Sequence, residues 1–429
     1  MIWIGLIIIV LTFAAIIKKW EARACLFIAG LLMCLISGNP LGAIDAFTKA
    51  LVNSFLVPII ACAMGFAYVI NMTGCDKHFS YLALRHVIKI KAFLVPLAVL
   101  VIWVFSIAIN SPAGLAAAVA PIIIPVLIRA GVHPAMAAAT VLLGTWGEFV
   151  SIASSLMAVV GSISHTDVPT IVLMVLPGSL AGLVVSCLGL WVISIFRKED
   201  KGYTGPSEDL GNANANLLEE VRSFKVNYLK ALMPILPIVL LILGTDQVGW
   251  IMKFTVPQAM ILCTMLTLLV SWTSPFEAMR KFCSGMGEGF ASIAALIAAA
   301  GVFTAGMNAL GMIDALIEVM KSSQHIAKIA ASWGTFVIAA LSGSGDAACL
   351  AFNTSITPHA AAMGLDPNYL GAAAYMGAAL GRTLSPVAGV TLICASVAKV
   401  DPMDLTKRVG LVVIATNLVG MIVVQYILA

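Results

Sequence analysis

Long apolar stretches alternate with short polar ones along nearly the whole chain of 429 residues. A helix of about 20 apolar residues crosses the hydrocarbon core of a bilayer. The apolar segments lie near residues 2–17, 25–38, 50–71, 92–109, 113–128, 134–161, 169–196, 229–244, 254–272, 286–308, 326–341, 347–363, 367–398 and 409–428. This pattern predicts an all-α polytopic membrane protein with about ten crossings.

One long polar stretch, residues 197–228, divides the chain into halves of similar size, 1–196 and 229–429. Lysine and arginine accumulate in it, as in cytoplasmic loops of membrane proteins. We therefore expect it to be a cytoplasmic linker between two structural units.

Each half contains a pair of apolar segments joined by a very short polar turn. The turn is Asn110-Ser111-Pro112 in the first half and residues 342–346 in the second. The second segment of each pair is short for a full crossing and rich in small residues. Re-entrant hairpins at about 97–128 and 326–363 fit this pattern, since irregular backbone at membrane depth is tolerated where it lines a cavity.

The segment after each hairpin contains paired glycines next to a charge, which predicts a broken transmembrane helix. The predicted breaks are residues 144–148 within 134–161 and residues 377–386 within 367–398. A shift of 233 residues overlays the halves, and one inserted residue extends the match. The matched pairs are Ser111 with Ser344, Pro125 with Pro358, Gly131 with Gly364, Pro134 with Pro367, Gly144 with Gly377, Gly147 with Gly381, Glu148 with Arg382, and Ser151 with Ser385.

Charge and composition give the orientation of these elements. Only 10% of the residues are charged and 61% are hydrophobic, whereas soluble domains carry about 25% charged residues. The N-terminal apolar run precedes its lysines, unlike a cleavable signal peptide. With both termini periplasmic, most of the 24 lysines and arginines fall on the cytoplasmic side, and the second half is inverted relative to the first.

Composition also bears on partners. The net charge of +4 resides in short loops, which argues against a nucleic-acid partner. The nine cysteines fall mostly in apolar stretches without metal-ligand spacing and are expected to be packing residues. We expect no cofactor, and the partners to be a small organic anion and the surrounding lipid.

Inverted repeats with broken helices are typical of secondary transporters whose substrate site lies at the membrane midplane. Arg382 is the most informative residue, because a guanidinium at that depth is costly and cannot discharge itself. It is expected either to bind a substrate carboxylate or to form an ion pair with Glu148 or Asp346. Glu148 has three interpretations: a partner of Arg382 in the empty site, the carrier of a coupled proton, or a Na⁺ ligand. Asp346 is expected to cap the following helix or bind a cation.

Other candidates are short polar groups and glycines at the same depth. The predicted substrate-binding set is Asn110, Ser111, Ser344, Gly345, Arg382, Thr383 and Ser385. The predicted set for a coupling Na⁺ or proton is Glu148, Asp346, Gly144 and Gly377, with Na⁺ near Asn110, Gly144, Ser344 and Gly377.

Three strings resemble the DcuC-type anaerobic C4-dicarboxylate carriers of the ion transporter superfamily. They are Gly343-Ser344-Gly345-Asp346-Ala347, the run from Leu380 to Gly389, and Gly144-Thr145-Trp146-Gly147. The resemblance implies a homodimer in the bacterial inner membrane, with a scaffold domain and a transport domain that moves as an elevator. Its substrates would be C4-dicarboxylates of the succinate, fumarate and malate type, carried by ion-coupled transport or exchange. Glu148 departs from the small residue that relatives tend to carry there.

Alternative substrates are citrate-like acids, monocarboxylates and acidic amino acids such as aspartate. A remote alternative is an intramembrane aspartyl protease, because residues 343–346 match its Gly-x-Gly-Asp motif. The second aspartate and the Pro-Ala-Leu element of such enzymes do not occur in the sequence. No filter-like string indicates a channel.

Overall fold

The computed structural model describes residues 2–18, 20–52, 54, 56–79, 82, 93–109, 111–203, 224–244, 252–313, 315 and 324–429, and every regular element within them is helical. The helices are α1 (Ile2–Ile17), α2 (Ala22–Ile36), α3 (Pro40–Leu51), α4 (Leu56–Thr73), α5 (Leu94–Ala108), α6 (Pro112–Arg129), α7 (Pro134–Gly144), α8 (Ser155–Ser164), α9 (Val168–Phe196), α10 (Tyr228–Leu232), α11 (Leu236–Leu243), α12 (Val256–Ser271), α13 (Pro275–Gly289), α14 (Ala295–Ala309), α15 (Gln324–Ile329), α16 (Thr335–Ser342), α17 (Gly345–Ser355), α18 (Pro367–Leu384), α19 (Gly389–Ala398) and α20 (Pro402–Ile422). Most of the central linker, residues 204–223, lies outside the described residues, as does Asn110.

Five helical segments of the described chain are long and apolar enough to span a membrane: Pro134–Ser164, Val168–Phe196, Gln324–Ser342, Pro367–Ala398 and Pro402–Ile427. Several helices also carry exposed apolar stripes with four-residue spacing. On α9 the stripe is Leu180, Val184, Leu188 and Val192, and on α12 it is Ile261, Met265 and Leu269. Stripes of this kind are stable only against lipid or another apolar surface. The chain is thus a multi-pass membrane protein, as predicted.

The helices pack into two sets. In one set, α2 and α3 contact α14, and α4 contacts α12 and α13. In the other set, α5 and α6 pack on α7, whereas α16 and α17 pack on α18. Helices α7 and α18 form its centre, where all of Pro134–Gly144 and nearly all of Pro367–Leu384 are buried.

Helices α9 and α20 are antiparallel neighbours, which gives the second set two distinguishable ends. Glu199, just after α9, binds Arg408 in the first turns of α20. The first helix pair consists of α5 and α6, joined by the turn at Ser111. Its base lies at this end, where the His133 amide donates to the Glu199 carbonyl at 2.9 Å. The second helix pair consists of the helical segment Gln324–Ser342, which contains α15 and α16, and of α17. Its base lies at the opposite end, where His325 stacks on Tyr426 with ring centroids 5.7 Å apart. The two helix pairs therefore extend from opposite ends of the α9–α20 pair.

The first predicted helix break is present in the structure, where the α-helix ends at Gly144, and the second is displaced. Helix α18 is continuous through Gly377 and Gly381, so the predicted unwinding there is wrong, and the non-helical residues are Ser385–Ala388. In the first half the chain tightens to a 3₁₀ helix over Thr145–Val150, and helix α8 begins at Ser155.

The paired glycines permit close helix contact rather than unwinding. A Cβ on Gly144 would lie 2.6 Å from the Cβ of Ile102, and one on Gly377 would lie 2.7 Å from the Oγ1 of Thr335. Both distances are far below van der Waals contact. Only glycine allows α7 to approach α5, and α18 to approach α16, this closely.

Equivalent local features recur at the spacing found in the sequence. Residues Ile102 and Thr335, which face the paired glycines, are 233 positions apart. Ser151 and Ser385, which end the two interrupted helices, have nearly identical dihedral angles (φ −74°, ψ 124° and φ −70°, ψ 125°). The ten-residue helices that follow, α8 and α19, both end in a left-handed residue, His165 and Lys399 (φ 54° and 53°).

Candidate functional site

Arg382 and Glu148 form an ion pair in the interior of the second helix set. The Nη1 of Arg382 on α18 donates to Oε1 of Glu148, which lies on the 3₁₀ turn after α7. The residues are only 7% and 4% exposed, so lipid and water are both excluded. The ion pair expected from the sequence is confirmed, with Glu148 as the partner.

The rest of this guanidinium lacks partners. Its Nε and Nη2 groups are buried and make no hydrogen bond, and the buried Oγ of Ser385, three residues later, makes none either. Buried donors in proteins are almost always satisfied, so each such group calls for an explanation. The two nitrogens form one edge of the guanidinium, which is the edge that binds a carboxylate through two parallel hydrogen bonds.

Arg408 shows the same edge occupied. Its Nε donates to Oε2 of Glu199 at 2.8 Å, and its Nη2 donates to Oε1 at 2.6 Å. Arg408 is as buried as Arg382, at 6% exposure. Within the described residues, the chain thus contains one buried guanidinium whose bidentate edge holds a carboxylate and one whose bidentate edge is open.

The turn between α16 and α17 lies against the base of the Arg382 side chain. A Cβ on Gly345 would be 3.4 Å from the Cβ of Arg382, and a Cβ on Gly343 (φ +77°) would be 3.1 Å from the amide of Ala388. Ser344 is the N-cap of α17, because its Oγ accepts from the amide of Ala347 at 3.3 Å. The capping role proposed for Asp346 therefore belongs to Ser344. The Asp346 side chain is exposed, and it is near enough to interact electrostatically with Arg382 and Glu148.

The remaining predicted residues divide into two groups. Thr383 lies beside the site, but its Oγ1 already donates to the Ala379 carbonyl at 2.9 Å. Ser111 caps α6 by accepting from the Gly114 amide at 3.2 Å, and it borders a separate cavity. Gly144 and Gly377 are helix-packing positions, and Asn110 lies outside the described residues. The structure therefore unites Gly345, Ser344, Arg382, Ser385, Glu148 and Asp346.

Tyr375 is a site residue that the sequence analysis missed. Its hydroxyl donates to the Glu148 carbonyl at 3.3 Å and accepts from Ser154 Oγ at 2.9 Å. One buried side chain on α18 thus fixes both ends of the non-helical segment that follows Glu148. A tyrosine inside an apolar helix indicates a hydrogen-bond partner, but the sequence does not say which one.

A cavity of about 670 Å³ lies between the two helix sets. Its wall includes Ser111 and Gly114 at the start of α6, and Ala153 and Ser155 on either side of the Tyr375 partner Ser154. Asn71 and Asp76 contribute polar groups and hydrogen-bond each other at 3.2 Å. The cavity is of the size usual for small-molecule sites, about 300–1,000 Å³. It reaches the turn of the first helix pair but is not lined by Arg382.

In the ranges that the structure describes, no group of three or more histidine, cysteine, aspartate or glutamate side chains is placed to hold a metal ion. The prediction of Na⁺ near Gly144 and Gly377 relied on unwound carbonyls, and Gly377 lies inside a continuous helix. That prediction loses its structural basis at Gly377, and at Gly144, where the α-helix ends, it stays a prediction.

Comparison with known proteins gives the family. The profile of the DcuC family, C4-dicarboxylate anaerobic carriers, matches residues 2–428. The anaerobic C4-dicarboxylate transporter DcuC of Escherichia coli K12 is 26% identical, over 98% of this chain and 94% of that protein. A probable anaerobic C4-dicarboxylate transporter DcuC of Vibrio cholerae is 25% identical, over 95% of this chain and 94% of that protein. A putative uncharacterized transporter of Haemophilus influenzae is 40% identical over 43% of this chain and 67% of its own length. The chain belongs to the DcuC family of C4-dicarboxylate anaerobic carriers.

Proposed function

We propose that the protein transports C4-dicarboxylates of the succinate, fumarate and malate type across the bacterial inner membrane, with Arg382 binding one substrate carboxylate. The observation that carries this assignment is the open Nε–Nη2 edge of a buried guanidinium. A carboxylate at this edge would satisfy both donors, as the Glu199 carboxylate does on Arg408. Family membership supports the same class of substrate.

Ser385 and the start of α17 supply further groups for the substrate. The Ser385 Oγ is a buried hydroxyl without a partner. Ser344 and Gly345 place the N-terminus of α17 beside Arg382, and helix N-termini favour anions. A carboxylate at Arg382 would therefore meet additional donors on its remaining sides.

We also infer that residues 1–196 and 229–429 are inverted repeats. The recurrence of capping serines, glycine contacts and left-handed helix ends at spacings of 233 and 234 residues supports this inference. So do the two helix pairs that extend from opposite ends of the α9–α20 pair. We interpret both as re-entrant hairpins, with bases on the cytoplasmic and periplasmic sides respectively.

The two helix sets suggest an elevator mechanism. In this proposal α2–α4 and α12–α14 form a scaffold, and the set around α7 and α18 carries the substrate past it. The cavity between the sets would then be the route by which substrate reaches the hairpins. The homodimer, the coupling ion and the periplasmic termini stay predictions.

The test is uptake of labelled succinate, fumarate and malate into proteoliposomes, normalised to folded protein. Arg382→Ala should abolish uptake, and Arg382→Lys should rescue it poorly, because lysine lacks the planar fork that binds two carboxylate oxygens. Arg408→Ala is the matched control, since it removes an equally buried and paired guanidinium away from the site. Uptake by Arg382→Ala at the wild-type rate per folded protein would refute the assignment.

A further inference from the structure

The position of Glu148 on Arg382 is informative about coupling. Glu148 occupies Nη1, outside the bidentate edge, and leaves Nε and Nη2 unoccupied. A substrate carboxylate can therefore bind without displacing Glu148. The Glu148 carboxylate binds the Nη1 group of the guanidinium and thereby fixes the orientation of the open Nε–Nη2 edge.

Such binding would place two carboxylates on one buried guanidinium. Arg382 supplies one positive charge, Glu148 and Asp346 supply two negative charges, and a dicarboxylate adds two more. Like charges that share a buried site disfavour each other's ionised form, and a carboxyl group can relieve the conflict by taking a proton. Arginine cannot help, because it remains protonated.

The other groups that face Glu148 do not remove this excess of negative charge. Tyr375 approaches from α18, and Cys349 and Asp346 approach from α17. None of the three can carry a positive charge. In the described part of the chain, Arg382 is the basic residue paired with Glu148.

We propose that Glu148 is the proton site of the carrier: it is ionised on Arg382 in the empty site and becomes protonated when a dicarboxylate binds. This inference rests on the proposed function. The proton comes from a hydronium ion or water in the compartment to which the site is open and forms an O–H bond on Glu148. The other oxygen still accepts from Nη1, so Arg382 keeps its orientation. Release on the opposite side reverses the transfer, and a proton accompanies each substrate.

The experiment is succinate binding to purified protein, measured calorimetrically in two buffers of different ionisation enthalpy at mildly alkaline pH. The wild type should take up about one proton per bound succinate, by linkage between proton and ligand binding. Glu148→Gln should bind succinate with proton uptake near zero. Glu277→Gln, which removes an exposed carboxylate of α13 away from the site, is the matched control and should retain proton uptake.

The outcomes separate this inference from the proposed function. Proton uptake that is absent in the wild type, or unchanged in Glu148→Gln, overturns the role of Glu148 while leaving the Arg382 assignment intact. Undiminished succinate binding by Arg382→Met overturns the proposed function itself. In proteoliposomes, a pH gradient with the outside acidic and the inside alkaline should drive succinate accumulation by the wild type and not by Glu148→Gln. Equal accumulation by both proteins contradicts the inference.

Discussion

The buried pair of Arg382 and Glu148 predicts a strong energetic coupling between two positions in different halves of the chain. Removing one member of a buried ion pair costs about 3–5 kcal/mol, because the other charge is left uncompensated, whereas replacing both with apolar residues is often nearly neutral. Unfolding entropy averages about 2.1 cal/mol/K per residue, which for 429 residues is about 0.9 kcal/mol/K. We therefore expect Glu148→Leu or Arg382→Met alone to lower the Tm by about 3–6 °C.

The double variant should melt close to the wild type, and the two single variants should differ in their response to pH. In Arg382→Met the stranded carboxylate can take a proton, so the stability loss shrinks as the pH falls. In Glu148→Leu the stranded guanidinium stays charged, so the variant cannot reduce this cost by releasing a proton. The assay is thermal unfolding of the detergent-solubilised protein without substrate, followed by intrinsic fluorescence. A double variant that loses as much stability as the two single variants combined would refute the coupling.

Three further predictions concern other parts of the structure. Gly381→Ala should destabilise the protein by about 1–3 kcal/mol or more, because the new Cβ would overlap the Phe336 carbonyl. Gly287→Ala is the control, because there is open space around Gly287, and it should leave the stability unchanged. Thermal unfolding compares the two variants. Arg408→Ala should cost up to about 3–5 kcal/mol, because it leaves the partly buried carboxylate of Glu199 with the longer 3.8 Å ion pair to the exposed Arg197. Lys407→Ala, whose ion pair with Asp404 is exposed, should cost about 0–1 kcal/mol, and similar losses in denaturant unfolding would contradict the argument. Burial lowers the pKa of His78, the positive charge of Lys230 lowers it further, and the His78 Nδ1 accepts from the Asn227 amide at 3.1 Å. The pKa of His78 is therefore lower in the folded protein than in the unfolded chain. The contact contributes its full stability above about pH 6.5, and this stability is lost as the pH falls through the folded-state pKa. Hydrogen exchange over residues 224–232, corrected for intrinsic rates, should accelerate on acidification in the wild type and stay flat in His78→Gln.

The sequence predicted the features that depend on hydropathy and on short polar turns. The helical class, the turns between helices near Ser111 and Ser344 and the pairing of Arg382 with Glu148 all agree with the structure, whereas the re-entrant course of the two helix pairs stays a prediction. Each produces a signal within a few residues, or follows from the cost of an unpaired charge at membrane depth.

The second helix break was misplaced because glycine has two physical uses. It permits unusual backbone angles, and it permits close helix packing, and the sequence does not distinguish between them. At Gly377 and Gly381 the second use applies, and the break occurs at Ser385. Helices α3 and α13 were missed because they are amphipathic and too short or too polar to register as spans.

The role of Tyr375 was not predictable for a different reason. Its hydrogen bonds join residues 227 and 221 positions apart in the sequence. No local pattern encodes such a contact. The open edge of Arg382 is likewise visible only once the positions of both arginine nitrogens and their neighbours are known.

The glycine contacts between α16 and α18 limit how the substrate site can change its exposure. Backbone atoms of Ser332 and Phe336 abut Gly377 and Gly381 with no side chains between them. Helices packed this closely cannot slide past each other without steric clashes. In the proposed elevator mechanism, Arg382 and helices α16 and α17 would therefore move as one rigid unit, and the flexible positions would lie in the connections to other helices.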